Sequence, residues 1–434
     1  MKTIRCTACG DAMIFRHLPG EYEGFREVRD FIARGDFRYV NLETTIHNFE
    51  TYGAARSGGS WFCAEPSVLN DVKTFGFNML STANNHATDY AYVGLTKTLQ
   101  YVRAAGLQCC GTGESLSEAA APIYLDTLQG RIALIGCCST FNPEAMAGEQ
   151  TRTMPGRPGV NGIRFRTVYE MPKERIDQLQ DIAKAMQINA SNETERAQGY
   201  LPPLPDGETE FGEMRFVESD HFEKRTILNK TDMDRIEKMI HEAQFMADYI
   251  VISMHSHEMK GEKGETPDDF YVEFAHKCID AGANAVVGSG AHFLRPIEIY
   301  QGCPIFYSLG DFIIQLETIR KAPVGFFEKQ NMTGNEGLDE MFNARSCNGR
   351  KGLYYDPIMF RTVVPYWEAE NGKLTKLELL PVELNFGESR GMGGWPRYYP
   401  GHCIIEDLAR ISEPYGTKIT VENGIGIVEL GETT

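Results

Sequence analysis

Three features of the 434-residue sequence predict an α/β fold. Apolar, strand-like runs alternate with helical stretches through the first 150 residues, which implies parallel or mixed pairing with right-handed crossovers. Five such runs end in ligand-type side chains, and open α/β sheets present their chemistry at the carboxyl ends of strands. Hydrophobic residues make up 42% of the chain and aromatics 11%, the composition of a globular protein with a large core.

Taken in order, the expected elements are a strand at 4–9, a helix near 24–34 and a strand at 37–43. A Gly-rich loop at 52–60 follows, then a helix near 66–75 opened by Pro66, a strand at 77–82 and a helix near 91–105. Short strands are expected at 107–110, 122–127 and 131–137. Residues 140–230 break the alternation with Pro143, Pro155, Pro158 and the Pro-rich run from Tyr200, and read as an insertion over the site. A helix near 231–246, with Thr231 as its expected cap, leads into the strand that ends at His255. A helix near 267–281 precedes the run that ends at His292. Ile297 to Tyr300 and Cys303 to Ser308 flank Gln301-Gly302 as a hairpin. Residues 315–350 read as loop with short helical pieces. Strands at 358–366 and 374–384 flank Asn371-Gly372, and a short C-terminal unit holds a helix near 402–412 and two strands around Asn423-Gly424. The expected domains are 1–385, carrying the insertion, and a small extension at 386–434.

Charge narrows the partners. Forty-three Lys and Arg against 60 Asp and Glu give a net charge of −17, which argues against nucleic acid or an anionic membrane as partner. A small anion stays compatible, because a local metal or basic site overcomes a distant negative field. The chain runs from Met1-Lys2-Thr3 straight into its first strand and has no apolar window of spanning length, so the expectation is no membrane anchor and a cytoplasmic location. Eleven cysteines in no disulfide-like rhythm, several inside apolar runs, suit buried free thiols. Cys6 and Cys9 stand three apart on a strand, so they face opposite ways and make no redox pair.

The five strand ends carry the chemistry. They deliver Asp11, Glu43, the cluster Asn84-Asn85-His86 with Asp89, the pair His255 and His257, and His292. Carboxylate, amide oxygen and imidazole together suit two divalent cations such as Mn²⁺, Fe²⁺ or Zn²⁺, and the absence of thiolate argues against a structural zinc site. Glu43 is the candidate bridge. Asp11 and His292 would hold one ion; Asn85 and His255, with His257, would hold the other. His86 is the candidate proton donor, with Asp89 orienting it. Arg295, Ser60 in the Gly-rich loop and Asp311 are the expected substrate contacts.

In chain order, Gly10-Asp11-Ala12-Met13, Asn41-Leu42-Glu43-Thr44-Thr45, Asn84-Asn85-His86 with Asp89, the His255 strand, Gly288 through His292 to Tyr300, and Pro304 to Phe312 resemble the CapA family of poly-γ-glutamate capsule synthesis proteins. The resemblance covers residues 2 to 315. That family is similar in fold to calcineurin-like metallophosphoesterases, which implies a four-layer αββα sandwich of two mixed sheets with two metal ions between the strand ends. It implies the first aspartate at Asp11, a bridging role for Glu43, the Asn-His pair of ligand and general acid at Asn85 and His86, and later histidine ligands at His255 and His292. Met13 stands where the wider superfamily carries a histidine, and Gly290, after Ser289, stands where it carries another; His257 is the expected substitute. The implied activity is hydrolysis of a phosphoester or γ-glutamyl-type amide bond by a metal-bound hydroxide, on a small anionic or glutamyl-containing substrate. The alternative is a non-catalytic accessory or binding protein of poly-γ-glutamate synthesis.

Overall fold

The computed structural model describes residues 2–430 as a mixed α/β protein. Its larger sheet has ten strands. The main path runs Ile419–Glu422, Ile425–Val428, Lys373–Glu383, Arg361–Glu370, Thr3–Met13, Phe37–Asn41, Met79–Ser81 and Gln108–Cys110. Asp311–Ile314 pairs with Thr3–Met13, and Arg397–Tyr398 pairs with Lys373–Glu383. The second sheet orders Ile297–Tyr300, Cys303–Phe306, Ala285–Ser289, Tyr249–His255, Arg131–Cys138 and Ile123–Asp126. Both sheets are mixed. Thr3–Met13 is parallel to Phe37–Asn41 and antiparallel to Arg361–Glu370, while Tyr249–His255 is parallel to both its neighbours.

Period-two alternation shows how the layers form, because successive side chains of a strand leave on opposite faces. Ile132 and Leu134 join one buried cluster with Cys6, Ala8, Tyr39, Val251 and Trp367, which lie on both sheets. Ala133 and Ile135 join another, with Ile236 and Ile240 of the helix Lys230–Gln244 and Phe274 of the helix Asp269–Asp280. On the larger sheet Tyr39 faces the first cluster, and Val40 faces the helices Phe25–Ile32 and Leu69–Thr74. The sheets therefore pack on each other, with helices on both outer faces. Trp367 and Tyr249 lie fully buried at the seam, where Trp367 Nε1 donates to the Tyr249 hydroxyl at 2.9 Å.

Most expected strands and helices form within a few residues of their predicted bounds, and the departures have local causes. The first strand does not stop at 9. It continues to Met13 through register shifts on either side of Asp11, and a shift of this kind re-aims a side chain. The cap of the helix at 230 is Asn229, not Thr231: Asn229 Oδ1 accepts from the Asp232 N–H at 3.1 Å. Within the 140–230 region, Phe165–Met171, Glu208–Phe211, Met214–Glu218 and Glu223–Leu228 build a separate four-stranded sheet. Polar, half-exposed strands gave this sheet no apolar signal. The strands Ile419–Glu422 and Ile425–Val428 extend the larger sheet at its edge, so part of the C-terminal unit adds to the main architecture. All eleven cysteines are free, with Cys6 in the cluster between the sheets and Cys9 in the cluster on the outer face.

The chain crosses from the smaller sheet to the larger, and Asp311–Ile314 pairs in parallel with the first strand, Asp11 opposite Asp311. The crossing depends on Gly10, where an added Cβ would lie 1.8 Å from the Gly310 carbonyl oxygen. Gly10→Ala is expected to lower the urea midpoint by a margin equivalent to at least about 1–3 kcal/mol, the usual cost of overpacking. An unchanged midpoint would mean that the backbones of 10 and 310 have room to part.

Candidate metal centre

The parallel register aligns the strand ends that carry the centre. Asp11 pairs with Asn41, Asn41 with Ser81, and His255 with Ser289. The loops beyond these pairs supply Glu43, Asn84 to Asp89, His257 and His292. Contacts then join the two sheets. The Gly290 N–H donates to Asp11 Oδ2 at 2.7 Å, and His255 Nε2 lies 2.8 Å from Asn85 Oδ1. His292 adopts φ 63°, the left-handed region that a side chain with a Cβ seldom enters, and such strain concentrates at functional positions.

Glu43 sits at the middle of the cluster. It is 0% exposed, and among the described residues neither carboxylate oxygen has a hydrogen-bond partner. Its Oε1 is 3.6 Å from His255 Nε2 and 3.8 Å from His86 Nε2, beyond hydrogen-bond reach. Burial, and then the charges of Asp11, Asp311 and Asp89, push its carboxyl well above the usual range. An acid buried among other acids with bare oxygens fits a divalent cation better than it fits an empty core. Ligand atoms of Asp11, Glu43, His292 and Asp311 lie within 4.8 Å of one another, as do those of Glu43, His257 and His292. Glu43 and His292 belong to both sets. His255 Nε2 also approaches His257 Nε2 at 3.0 Å, so Asn85, His255 and His257 converge on one side of Glu43.

The surrounding groups orient this set. Asn41 Nδ2 donates to Asp11 Oδ1 at 2.6 Å. His255 Nδ1 lies 3.1 Å from Ser289 Oγ and 3.4 Å from Asp11 Oδ1, which fixes the ring with Nε2 toward Glu43. Burial would raise the Asp11 carboxyl, but His255 and His292 bring it below its ordinary value. Burial lowers His255, and it lowers His257 far more, with His255 and His292 adding to the effect. Both are thereby biased toward the neutral form, the one with a lone pair to offer a metal. His292 Nδ1 meets Asp311 Oδ1 at 2.9 Å. Burial raises Asp311 to about 7, and the Asp311 charge lifts His292 against the burial that would lower it.

His86 is held by a different set of contacts: its Nδ1 is 2.6 Å from Asp89 Oδ2, and its ring stacks on Phe62 with centroids 3.7 Å apart. Asp89 also accepts the N–H groups of Gly58 and Phe62, at 2.9 and 2.7 Å. Burial raises the Asp89 carboxyl, with His86 opposing.

Three expected substrate contacts sit differently from expectation. Arg295 is 1% exposed, and it donates to the carbonyls of Gly264, Ser256 and His257 at 3.0, 3.4 and 3.2 Å. It faces the protein and supports the turn that carries His257. Ser60 is buried, and its Oγ accepts from Arg345 at 2.6 Å. Asp311 lies inside the acid cluster itself, its Oδ2 buried without a partner. Met13 belongs to the apolar cluster on the outer face of the larger sheet. At Gly290, an added Cβ would fall 3.1 Å from His257 Cδ2, so the His257 ring fills the space beside that glycine. Sequence reasoning passed over Asn41, Phe62, Ser289 and Glu258, the last accepting from Ser139, Thr140 and Ser256. Asn41 and Ser289 lie inside the motifs and could have been found there; Phe62 and Glu258 carry no local signal.

A family match to the bacterial capsule synthesis protein PGA_cap spans residues 5–316. An uncharacterized Sinorhizobium fredii protein is 30% identical over 98% of this chain and 92% of its own length. The PGA biosynthesis protein CapA of Bacillus subtilis is 26% identical, over 84% of this chain and 80% of its own. A Mycobacterium tuberculosis protein named "Probable polyglutamine synthesis accessory protein" is 27% identical, over 65% and 57%.

Glu43→Gln removes the buried carboxyl but leaves the packing. Without metal, this variant is expected to melt no lower than the wild type. Added Mn²⁺ or Zn²⁺ is expected to raise the wild-type melting temperature, by an increment worth about 2.7 kcal/mol at a hundredfold excess over Kd, and to leave the variant unmoved. An equal rise in both proteins would rule out Glu43 as a ligand.

Proposed function

Because the chain belongs to the bacterial capsule synthesis protein PGA_cap family, we propose that it is a metal-dependent hydrolase acting on a phosphoester or γ-glutamyl-type amide bond. One observation carries this reading: both oxygens of Glu43 are buried and unpartnered among Asp11, Asp311, His257 and His292. The packing of helix, sheet, sheet and helix supports assigning the fold to the four-layer metallophosphoesterase-like class.

In this reading Glu43 would be shared between two cation sites. Asp11, His292 and Asp311 would hold one ion; Asn85, His255 and His257 would hold the other. Asp311 would stand in for the ligand that Met13 cannot supply, and His257 for the one that Gly290 lacks. Two divalent cations would supply Lewis-acid polarisation of the scissile group and activation of a water. The chain's own residues do the rest. Asp89 and the face of Phe62 hold the His86 ring. An imidazolium donates at both nitrogens, so His86 bonds Asp89 through Nδ1 and can release its Nε2 proton to the leaving oxygen or nitrogen. Arg295 holds the His257 turn in place from behind.

The second reading is a non-catalytic accessory or binding protein of poly-γ-glutamate synthesis; the mycobacterial relative's name, which calls it an accessory protein, favours a non-catalytic role. Metal analysis separates the two. The hydrolase reading requires bound metal after supplementation with Mn²⁺ or Zn²⁺, and metal-free protein would sink it. His86→Ala is expected to keep its metal and to lose about 10²–10⁴-fold in turnover. Assays of the metal-loaded protein on phosphomonoesters, phosphodiesters and γ-glutamyl amides, side by side, identify the bond; full activity in His86→Ala would remove the proton-donor role.

A further inference from the structure

We propose that Lys329 and Arg345 form an oxyanion-binding ledge beside the metal centre, one that takes a carboxylate or phosphate group flanking the bond to be cleaved. The proposal rests on the hydrolase reading and narrows its substrate to one carrying a second negative group.

The geometry starts at the Gly-rich loop. Gly58 is fastened to the centre twice: its carbonyl accepts from Asn85 Nδ2 at 2.9 Å, and its N–H donates to Asp89 Oδ1 at 2.9 Å. The two following residues each meet a cation. Lys329 Nζ donates to the Gly59 carbonyl at 2.8 Å, and Arg345 Nη1 donates to Ser60 Oγ at 2.6 Å. Lys329 also lies over the Trp61 ring at 4.7 Å, and Arg345 over Phe326 at 5.7 Å. These ring and backbone contacts hold both cations at the edge of the loop.

Neither cation makes an ion pair among the described residues. Acids outnumber bases in this chain by 60 to 43. Two other arginines at the 316–350 segment are paired, Arg320 with Glu65 and Arg390 with Glu317. Lys329 and Arg345 instead spend one donor each on a neutral oxygen. An ammonium has three donors and a guanidinium five, so most of their capacity is open. Burial and the Arg345 charge both lower Lys329, while Asp89 raises it, which sets all three groups within electrostatic reach. Arg345 repels Lys329, Glu317 partly offsets the Arg345 charge, and an anion between the two cations would relieve the repulsion on Lys329. The site is chemically distinct from the metal cluster, whose donors are acids and imidazoles. Both cations lie beyond residue 316, outside the matched family segment.

Calorimetric titration tests the ledge. The probes are a γ-linked glutamate trimer, which brings carboxylates, and glycerol 2-phosphate, which brings a phosphate. They are titrated into the metal-supplemented full chain and into Lys329→Met/Arg345→Met. The double variant is expected to keep its metal content and to bind at least one probe about tenfold more weakly, as expected for lost charge-assisted hydrogen bonds. The affected probe identifies the source of the anion. Lys329→Arg/Arg345→Lys, which preserves both charges, is expected to retain binding. Equal affinity of wild type and double variant for both probes, or no binding of either probe to the wild type, would overturn the proposal. Metal content measured on the same samples keeps the two ideas apart: a metal-free wild type removes the hydrolase reading, whereas the difference between wild type and double variant reports on the ledge alone.

Discussion

A carboxylate buried without a partner is the constraint around which this structure is arranged. Glu43 lies at the seam of two sheets with both oxygens bare, and three further acids, Asp11, Asp89 and Asp311, raise its cost. Each of those three is compensated locally. Asp11 accepts from Asn41 and Gly290, Asp89 from Gly58, Phe62 and His86, and Asp311 meets His292. Glu43 alone has no such set. An acid this deep either keeps its proton or meets a counter-charge when it ionises, and imidazoles and carboxylates at these distances provide a place for a cation.

Rigidity around Glu43 comes from the architecture. Both sheets bury both of their faces, so their strand ends cannot shift independently of the core. The ligands stand on short loops directly beyond those ends, and a ring of hydrogen bonds fixes each loop. Arg295 pins the His257 turn from behind and Glu258 gathers three hydroxyls around the same turn. Such outer contacts hold ligand atoms close enough in position to bind an ion.

The motifs and the class of the fold were legible early, because both rest on local patterns. Apolar runs of strand length, ended by Asp11, Asn85, His255 or His292, read the same in isolation as in the fold. The separate sheet at 165–228 was not legible, because strands such as Met214–Glu218 bury few side chains and so lack an apolar period. Arg295 looked like an anion clamp, since a sequence shows that a guanidinium is present but not which carbonyls surround it.

The sequence by itself determined which chemical groups arrive at the strand ends, and in what order, because period-two patterning and turn chemistry act over a few residues. Only the tertiary structure decided which groups meet. Asp311 comes beside Asp11 because a strand crosses between sheets and pairs 300 positions away, through a backbone approach that Gly10 permits. Lys329 and Arg345 come beside Gly59 and Ser60 because a segment some 270 to 285 positions later folds back over Trp61. Contacts of that separation are set by the packing of whole layers, for which no short stretch of sequence carries a signal.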